Sequence, residues 1–231
     1  MEPTRCAYDG PVRLIIECDG PVLDLEPVYW SAYSAAAGAL GLPRPDRATY
    51  WRLQRTGPDA TAFLRGARPQ QLREFVTRFA ELLEADASWE SAAVRDGLQG
   101  TLVSLRSGAE LILVTLGSNR AVRQRVLDAG DLSVHFMRMS ALGGAAARER
   151  QLRELAGEAR RVMVAVASEE LVRAARDAEL VTIGVSNGAC VGQRLTRAGA
   201  GHVYPSLDAL NDAIATSADE LARAGLIPRR A

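Results

Sequence analysis

The chain has 231 residues, 48% of them hydrophobic, which is enough for one well-buried core and a modest second unit. Basic and acidic residues number 28 each, so the formal net charge is zero. This balance argues against a nucleic-acid-binding surface, which needs an excess of basic residues. All the basic residues are arginines, and the absence of lysine excludes lysine-imine chemistry.

The cysteines and the N-terminal sequence bear on where the protein works. Cys6, Cys18 and Cys190 are widely separated and form no metal-ligating spacing, which is typical of a reducing cytoplasm. The N-terminus lacks the layout of a signal peptide, and the apolar runs Val12–Ile16 and Leu111–Val114 are too short to cross a bilayer. We therefore expect a cytoplasmic protein that makes no membrane contact.

Short apolar runs that end in turns recur along the chain and predict buried parallel strands. They are Val12–Glu17, Glu110–Thr115, Val162–Ala167 and Leu180–Val185. Helical patterns lie between them, at Arg120–Ala129, Arg148–Glu158 and Glu169–Ala178. This alternation predicts an α/β protein with a doubly wound, Rossmann-like parallel sheet, in which ligands bind beyond the carboxyl ends of the strands.

The segment 26–96 has a different character, with helical patterns and no convincing strand. The patterns cover Val28–Leu40, Pro69–Glu84 and Ala87–Arg95. We predict an inserted all-helical cap here, with 1–25 and 97–231 forming the core. Most of its aromatic side chains should pack the cap, and one or two should line a pocket facing the sheet: Tyr29, Trp30, Tyr33, Tyr50 and Trp51. The tail, Leu207–Ala224, is predicted to form two short helices.

Four segments carry a resemblance to one family. IIECDGPVLDLEP, from Ile15 to Pro27, resembles the first motif of haloacid dehalogenase-type phosphatases, an apolar strand followed by Asp-x-Asp-Gly and a linker into a helical cap. LILVTLGSN, with Thr115 at the strand end, resembles the second motif. VMVAVASEELVRAARDAELVTIGVSNG resembles the fourth, and GHVYPSLDAL resembles the closing segment. The resemblance covers essentially the whole chain and implies that superfamily's fold, with a cap inserted after the first strand.

The resemblance also assigns site residues, and several depart from the family pattern. Glu17 stands at the position of the nucleophilic aspartate, where its extra methylene shifts the carboxylate by about 1 Å, enough to cost on the order of a hundredfold in rate. Asp19 retains the general acid and base, and Thr115 retains the hydrogen-bond donor to a phosphoryl oxygen. One alignment puts Arg148 in place of the missing lysine. Arg148 is then either an anion anchor or a solvated helix residue, and we favour the solvated interpretation.

The metal-binding positions implied by the fourth motif are also lost. Its two acidic residues fall at Ala167 and Leu171, whereas Mg²⁺ is usually held by one or two carboxylates. Glu169 and Glu170 lie close in sequence, but they should sit on the first turn of a helix and are not expected to rebuild the site. We expect no cofactor, and Mg²⁺ only if the degenerate site still binds it.

Three functions stay open, in the following order. The first is a pseudo-phosphatase with a binding or regulatory role, which holds a small molecule in the cleft between cap and core or a protein partner. The second is a metal-independent enzyme that uses Glu17 and Asp19, one with a raised pKa, for cyclisation, dehydration or isomerisation. The third is a weak phosphatase of the haloacid dehalogenase type. The two carboxylates can also be merely structural, with Asp19 capping loop amides.

Overall fold

The structure is a computed structural model that describes residues 12–57, 64, 66–89, 91–159 and 161–216. The strands in these ranges are β1 (Val12–Glu17), β2 (Leu23–Asp24), β3 (Ala93–Val94), β4 (Glu110–Thr115), β5 (Arg138–Ala141), β6 (Arg161–Val166), β7 (Val181–Val185) and β8 (His202–Tyr204). The α-helices are α1 (Glu26–Ala39), α2 (Arg47–Thr56), α3 (Pro69–Glu84), α4 (Leu98–Gly108), α5 (Arg120–Ala129), α6 (Ala145–Ala156), α7 (Glu169–Asp177), α8 (Gly192–Ala198) and α9 (Leu207–Thr216).

Six strands form one parallel sheet in the order β5-β4-β1-β6-β7-β8. Alternate residues of β1 enter two separate cores, since Leu14 and Ile16 pack on one face of the sheet and Ile15 packs on the other. Helices cover both faces, with α4 and α9 contributing to the first core and α6, α7 and α8 to the second. A strand buried on both faces must be apolar along its whole length, which explains the continuous runs in the sequence. The predicted doubly wound α/β fold is confirmed.

Helices α1, α2 and α3, with a 3-10 helix at Asp86–Trp89, make up a unit that we call the helical segment (residues 26–89). It has its own aromatic core, in which Tyr33, Tyr50 and Phe75 are fully buried. The ring centroids of Tyr33 and Tyr50 lie 4.4 Å apart, within the range of favourable aromatic pairing. Packing among these aromatic rings therefore holds the helical segment together.

Part of the secondary structure predicted for 26–96 is wrong. The expected helix Ala87–Arg95 is a 3-10 helix that ends at Trp89, followed by strand β3, which pairs antiparallel with β2. The pairing of β3 with β2, in which Leu23 lies opposite Val94, overrides the local helical pattern. The two strands are about 70 positions apart in the chain, so the local sequence does not reveal this pairing. Helix α2 was not predicted, although Asp46 marks its start by accepting a hydrogen bond from the Thr49 amide at 2.9 Å.

The remaining predictions agree with the structure to within three residues. All four predicted strands are present, and the strands that were not predicted are the edge strands β5 and β8 of the sheet and the short pair β2 and β3. Of the tail predicted over Leu207–Ala224, helix α9 is present, and residues 217–224 lie outside the described ranges. No helix in the described part of the chain combines the length and apolar character needed to span a membrane.

Candidate functional site

The carboxyl ends of β1, β4 and β6 meet at one edge of the sheet, opposite the helical segment. A cavity of about 440 Å³ lies between them. Glu17, Asp19 and Ala167 line it from the sheet side, and Tyr29 and Trp89 line it from the helical segment. This is the crevice in which doubly wound sheets bind their ligands.

Glu17, the last residue of β1, is buried with 3% of its surface exposed. Its Oε2 accepts hydrogen bonds from the Ala167 amide at 2.7 Å, the Ser168 amide at 3.0 Å and the Ser168 hydroxyl at 3.1 Å. Burial raises the pKa of Glu17 to about 8, and the nearby charge of Asp19 adds to the rise, while these hydrogen bonds oppose it. Glu17 is therefore protonated at neutral pH, and its Oε1, which bonds to no described residue, is the oxygen free to carry the proton.

Asp19 is held by two partners at once. Its Oδ2 accepts a hydrogen bond from the Thr115 hydroxyl at 2.7 Å. The Nε of Arg123 donates to both carboxylate oxygens, at 2.8 Å and 3.0 Å. Thr115 also accepts a bond from the Gly117 amide at 3.0 Å. The hydroxyl proton that the resemblance assigns to a phosphoryl oxygen is thus directed at Asp19.

Arg123 is the site residue that the sequence interpretation missed. It is only 4% exposed, and its guanidinium lies 4.2 Å from the centre of the Trp89 ring. Burial disfavours its charge, but the attraction and hydrogen bond of Asp19, together with the attraction of Glu84, raise the pKa of Arg123. Two features of the structure explain its position. Arg123 shares the buried face of α5 with Leu127, and Gly117 leaves the space that the guanidinium fills, since a Cβ there would lie 2.2 Å from it.

Arg148 lies on α6 and reaches the wall of the cavity. Its Nε donates to the Gly143 carbonyl at 3.0 Å, and it forms an ion pair with Glu170. Only 15% of its side chain is exposed, so the interpretation as a solvated helix residue is wrong. The guanidinium already has a carboxylate partner, and this limits what it offers to an anionic ligand.

The two positions expected to have lost metal-binding acids are apolar and packed. The Ala167 methyl lies against Gly20 and Gly188, where added Cβ atoms would come within 3.0 Å and 2.7 Å of it. Leu171 is fully buried in the core beneath α7. The two acids of the first turn of α7 are engaged elsewhere, because Glu169 pairs with Arg194 at 2.9 Å and Glu170 pairs with Arg148.

The side chains present do not fit Mg²⁺. The ion needs several oxygen ligands in near-octahedral geometry, but both oxygens of Asp19 face the guanidinium of Arg123, whose positive charge repels a cation. The Oε2 of Glu17 already accepts three hydrogen bonds. Within the described ranges, no group of three or more His, Cys, Asp or Glu side chains is placed to hold a metal ion.

Comparison with known proteins identifies the fold. No family model and no curated protein matches the chain. Among solved structures, a haloacid dehalogenase-like hydrolase from Streptococcus pneumoniae is 16% identical over 87% of this chain and 96% of its own, with a TM-score of 0.67. A predicted phosphatase from Clostridium acetobutylicum is 17% identical over 90% and 99%, with a TM-score of 0.67. A hydrolase from Pseudomonas syringae is 18% identical over 91% and 99%, with a TM-score of 0.60. The chain therefore has the fold of the haloacid dehalogenase-like hydrolases and phosphatases.

Proposed function

We propose that this protein is a pseudo-phosphatase, a relative that has exchanged Mg²⁺-dependent phosphoryl transfer for the binding of a small molecule. One observation carries the proposal: the two site carboxyl groups are already held by other groups of the protein. The Oε2 of Glu17 is held by Ala167 and Ser168, and Asp19 is held by Arg123 and Thr115. A nucleophile must be free to attack in line, and little stabilisation of the transferred group remains without a metal.

The cavity supports a binding role. It has walls from both the sheet and the helical segment, which we infer to act as a cap. Leu25, Leu83 and Trp89 supply apolar surface, while Glu17 and Tyr29 supply polar groups. Eight charged side chains complete the lining: Glu17, Asp19, Glu84, Arg123, Arg148, Glu169, Glu170 and Arg194. Apolar surface beside polar groups that orient the ligand is the usual form of a small-molecule site.

The test is phosphate release from p-nitrophenyl phosphate in the presence of MgCl₂. We expect the wild-type protein to release no more phosphate than buffer, because no aspartate nucleophile and no metal-binding carboxylate pair are available. A matched haloacid dehalogenase-type phosphatase serves as the positive control. Turnover that depends on Mg²⁺ and disappears in Glu17→Gln would overturn the proposal and return the protein to the phosphatases.

A metal-independent acid–base enzyme is the second candidate, and Glu17 is the observation that favours it. Its pKa of about 8 keeps a proton on a carboxyl group that lines the cavity, beside the ionised pair of Asp19 and Arg123. A protonated carboxyl group beside an ion pair is the arrangement of a general acid and a charged partner. Under this candidate, any substrate conversion is lost in both Glu17→Gln and Asp19→Asn while the proteins stay folded.

A further inference from the structure

A second cavity lies at the opposite edge of the sheet from the candidate site. Its volume is about 390 Å³, and Val12, Glu110 and Leu111 line it at the amino ends of β1 and β4. The rest of its lining comes from the end of α4 and from residues 134–137, which precede β5. Six residues of extended strand separate it from the candidate site, a distance of about 20 Å. The two cavities are therefore separate.

His135 is a buried polar residue on the wall of this second cavity. It ends the 3-10 helix Ser133–His135 and is 6% exposed. Both ring nitrogens are buried, and neither has a hydrogen-bond partner among the described residues. A neutral imidazole has one donor and one acceptor, and a buried polar atom without a partner costs free energy. A ligand in the cavity beside the ring can supply the missing partner.

The charges around the second cavity favour an anion. Arg106 and Glu110 are the charged groups among its described lining residues. The charge of Glu110 is offset by Arg13, whose Nε and Nη2 donate to its Oε2 at 3.0 Å and 2.6 Å. Arg106 forms no ion pair with a described carboxylate, and its Nη1 donates to the Val134 carbonyl at 2.9 Å. The other N–H groups of this guanidinium can therefore donate to a carboxylate.

Apolar side chains complete the lining of the second cavity. Val134 and Met137, on either side of His135 in the chain, are 69% and 63% exposed. Phe136 and Leu111 add further apolar surface. Covering exposed apolar side chains removes them from water and stabilises the complex that covers them. The cavity thus offers apolar surface next to a cation and an imidazole.

We propose that the second cavity binds a small carboxylate with an apolar body. The carboxylate pairs with Arg106 and accepts a hydrogen bond from the imidazole of His135, while the apolar body covers Val134 and Met137. This site is independent of the proposed function, because its lining shares no described residue with that of the candidate site.

The experiment is calorimetric titration of the full chain with three probes that share one apolar body: hexanoate, hexan-1-ol and hexylamine. We expect hexanoate to bind about tenfold more tightly than hexan-1-ol, because it adds an ion pair and a hydrogen bond to a charged group. Hexylamine should bind most weakly, because Arg106 repels its ammonium group. Added NaCl should weaken the binding of hexanoate and leave that of hexan-1-ol unchanged, a result that needs no variant.

Variants of the two polar residues locate the carboxylate. Arg106→Met should lower the affinity for hexanoate about fivefold and leave that for hexan-1-ol unchanged. Arg197→Met is the matched control, since Arg197 is an exposed arginine of α8 that also forms no ion pair with a described carboxylate. His135→Phe keeps a ring but removes both nitrogens. It should weaken hexanoate binding about tenfold without lowering the urea midpoint, because no hydrogen bond within the described part of the chain is lost.

Several results would overturn the proposed carboxylate site. They are no binding heat with hexanoate, tighter binding of hexylamine than of hexanoate, or the same affinity for hexanoate in Arg106→Met and Arg197→Met. A lower urea midpoint in His135→Phe with unchanged hexanoate affinity would show that the imidazole only packs the core.

Discussion

Replacing Arg123 with methionine is expected to lower the free energy of unfolding by about 3 to 5 kcal/mol, the usual cost of removing one partner of a buried ion pair. The Arg123 side chain is 5% exposed and the Asp19 side chain 13% exposed, so the substitution leaves a nearly buried carboxylate without its cation. The contact with the Trp89 ring is lost as well. Urea denaturation of the wild-type and Arg123→Met proteins measures the change.

Arg125→Met is the matched control for this prediction. Arg125 lies on the same helix and pairs with Asp86 at 2.6 Å, but both side chains are more than 60% exposed. An exposed pair contributes at most about 1 kcal/mol, so the control should unfold close to the wild type. Equal unfolding midpoints for Arg123→Met and Arg125→Met would show that the pair of Arg123 and Asp19 does not organise the site.

The second large effect is a pH dependence that comes from Glu17. Its pKa rises from the ordinary value of 4.5 to about 8 on folding, so the folded protein holds this proton more tightly than the unfolded chain. The stability that depends on this proton is fully present below about pH 4.5 and is lost as the pH rises through about 8. The glutamine side chain in the Glu17→Gln variant is neutral at every pH, so this variant does not lose that stability as the pH rises. The variant should match the wild type near pH 4.5 and exceed it by up to about 5 kcal/mol at pH 9.

Glutamine suits this comparison because it has nearly the shape of a protonated glutamate. Its carbonyl oxygen can still accept the bonds from Ala167 and Ser168, while its amide faces the cavity in place of the hydroxyl. Urea denaturation at a series of pH values, with Glu81→Gln as the exposed control, gives the result. A stability difference between Glu17→Gln and the wild type that stays constant across the series contradicts a raised pKa for Glu17.

The sequence predicts the central strands well because a strand buried on both faces has to be apolar throughout. Val12–Glu17 and Glu110–Thr115 coincide with β1 and β4 for this reason. The edge strands β5 and β8 are short and mix polar with apolar residues, so no such run marks them. Strand β3 depends on pairing with β2, and no local pattern can reveal a partner so distant in the chain.

The site residues also fall into two groups, those that the local sequence reveals and those that depend on packing between distant elements. Glu17, Asp19 and Thr115 could be placed because each lies at or just beyond the end of a recognisable strand, where doubly wound sheets gather functional groups. Arg123 and Glu84 could not be placed from the sequence. The role of Arg123 depends on which face of α5 meets the sheet, and the role of Glu84 depends on where the end of α3 docks. Arg148 was placed near the site, but its pairing with Glu170 depends on how closely α6 and α7 approach.

Glu17 and Asp19 are bonded to other groups of the protein and leave no site for a divalent cation. Calorimetric titration of the wild-type protein with Mg²⁺ tests this most directly. We expect only the heat of dilution up to millimolar Mg²⁺, with unfolding midpoints that do not change when the ion is added. Saturable binding at sub-millimolar Mg²⁺, accompanied by a rise in the unfolding midpoint, would contradict the account and show that Asp19 exchanges Arg123 for the metal.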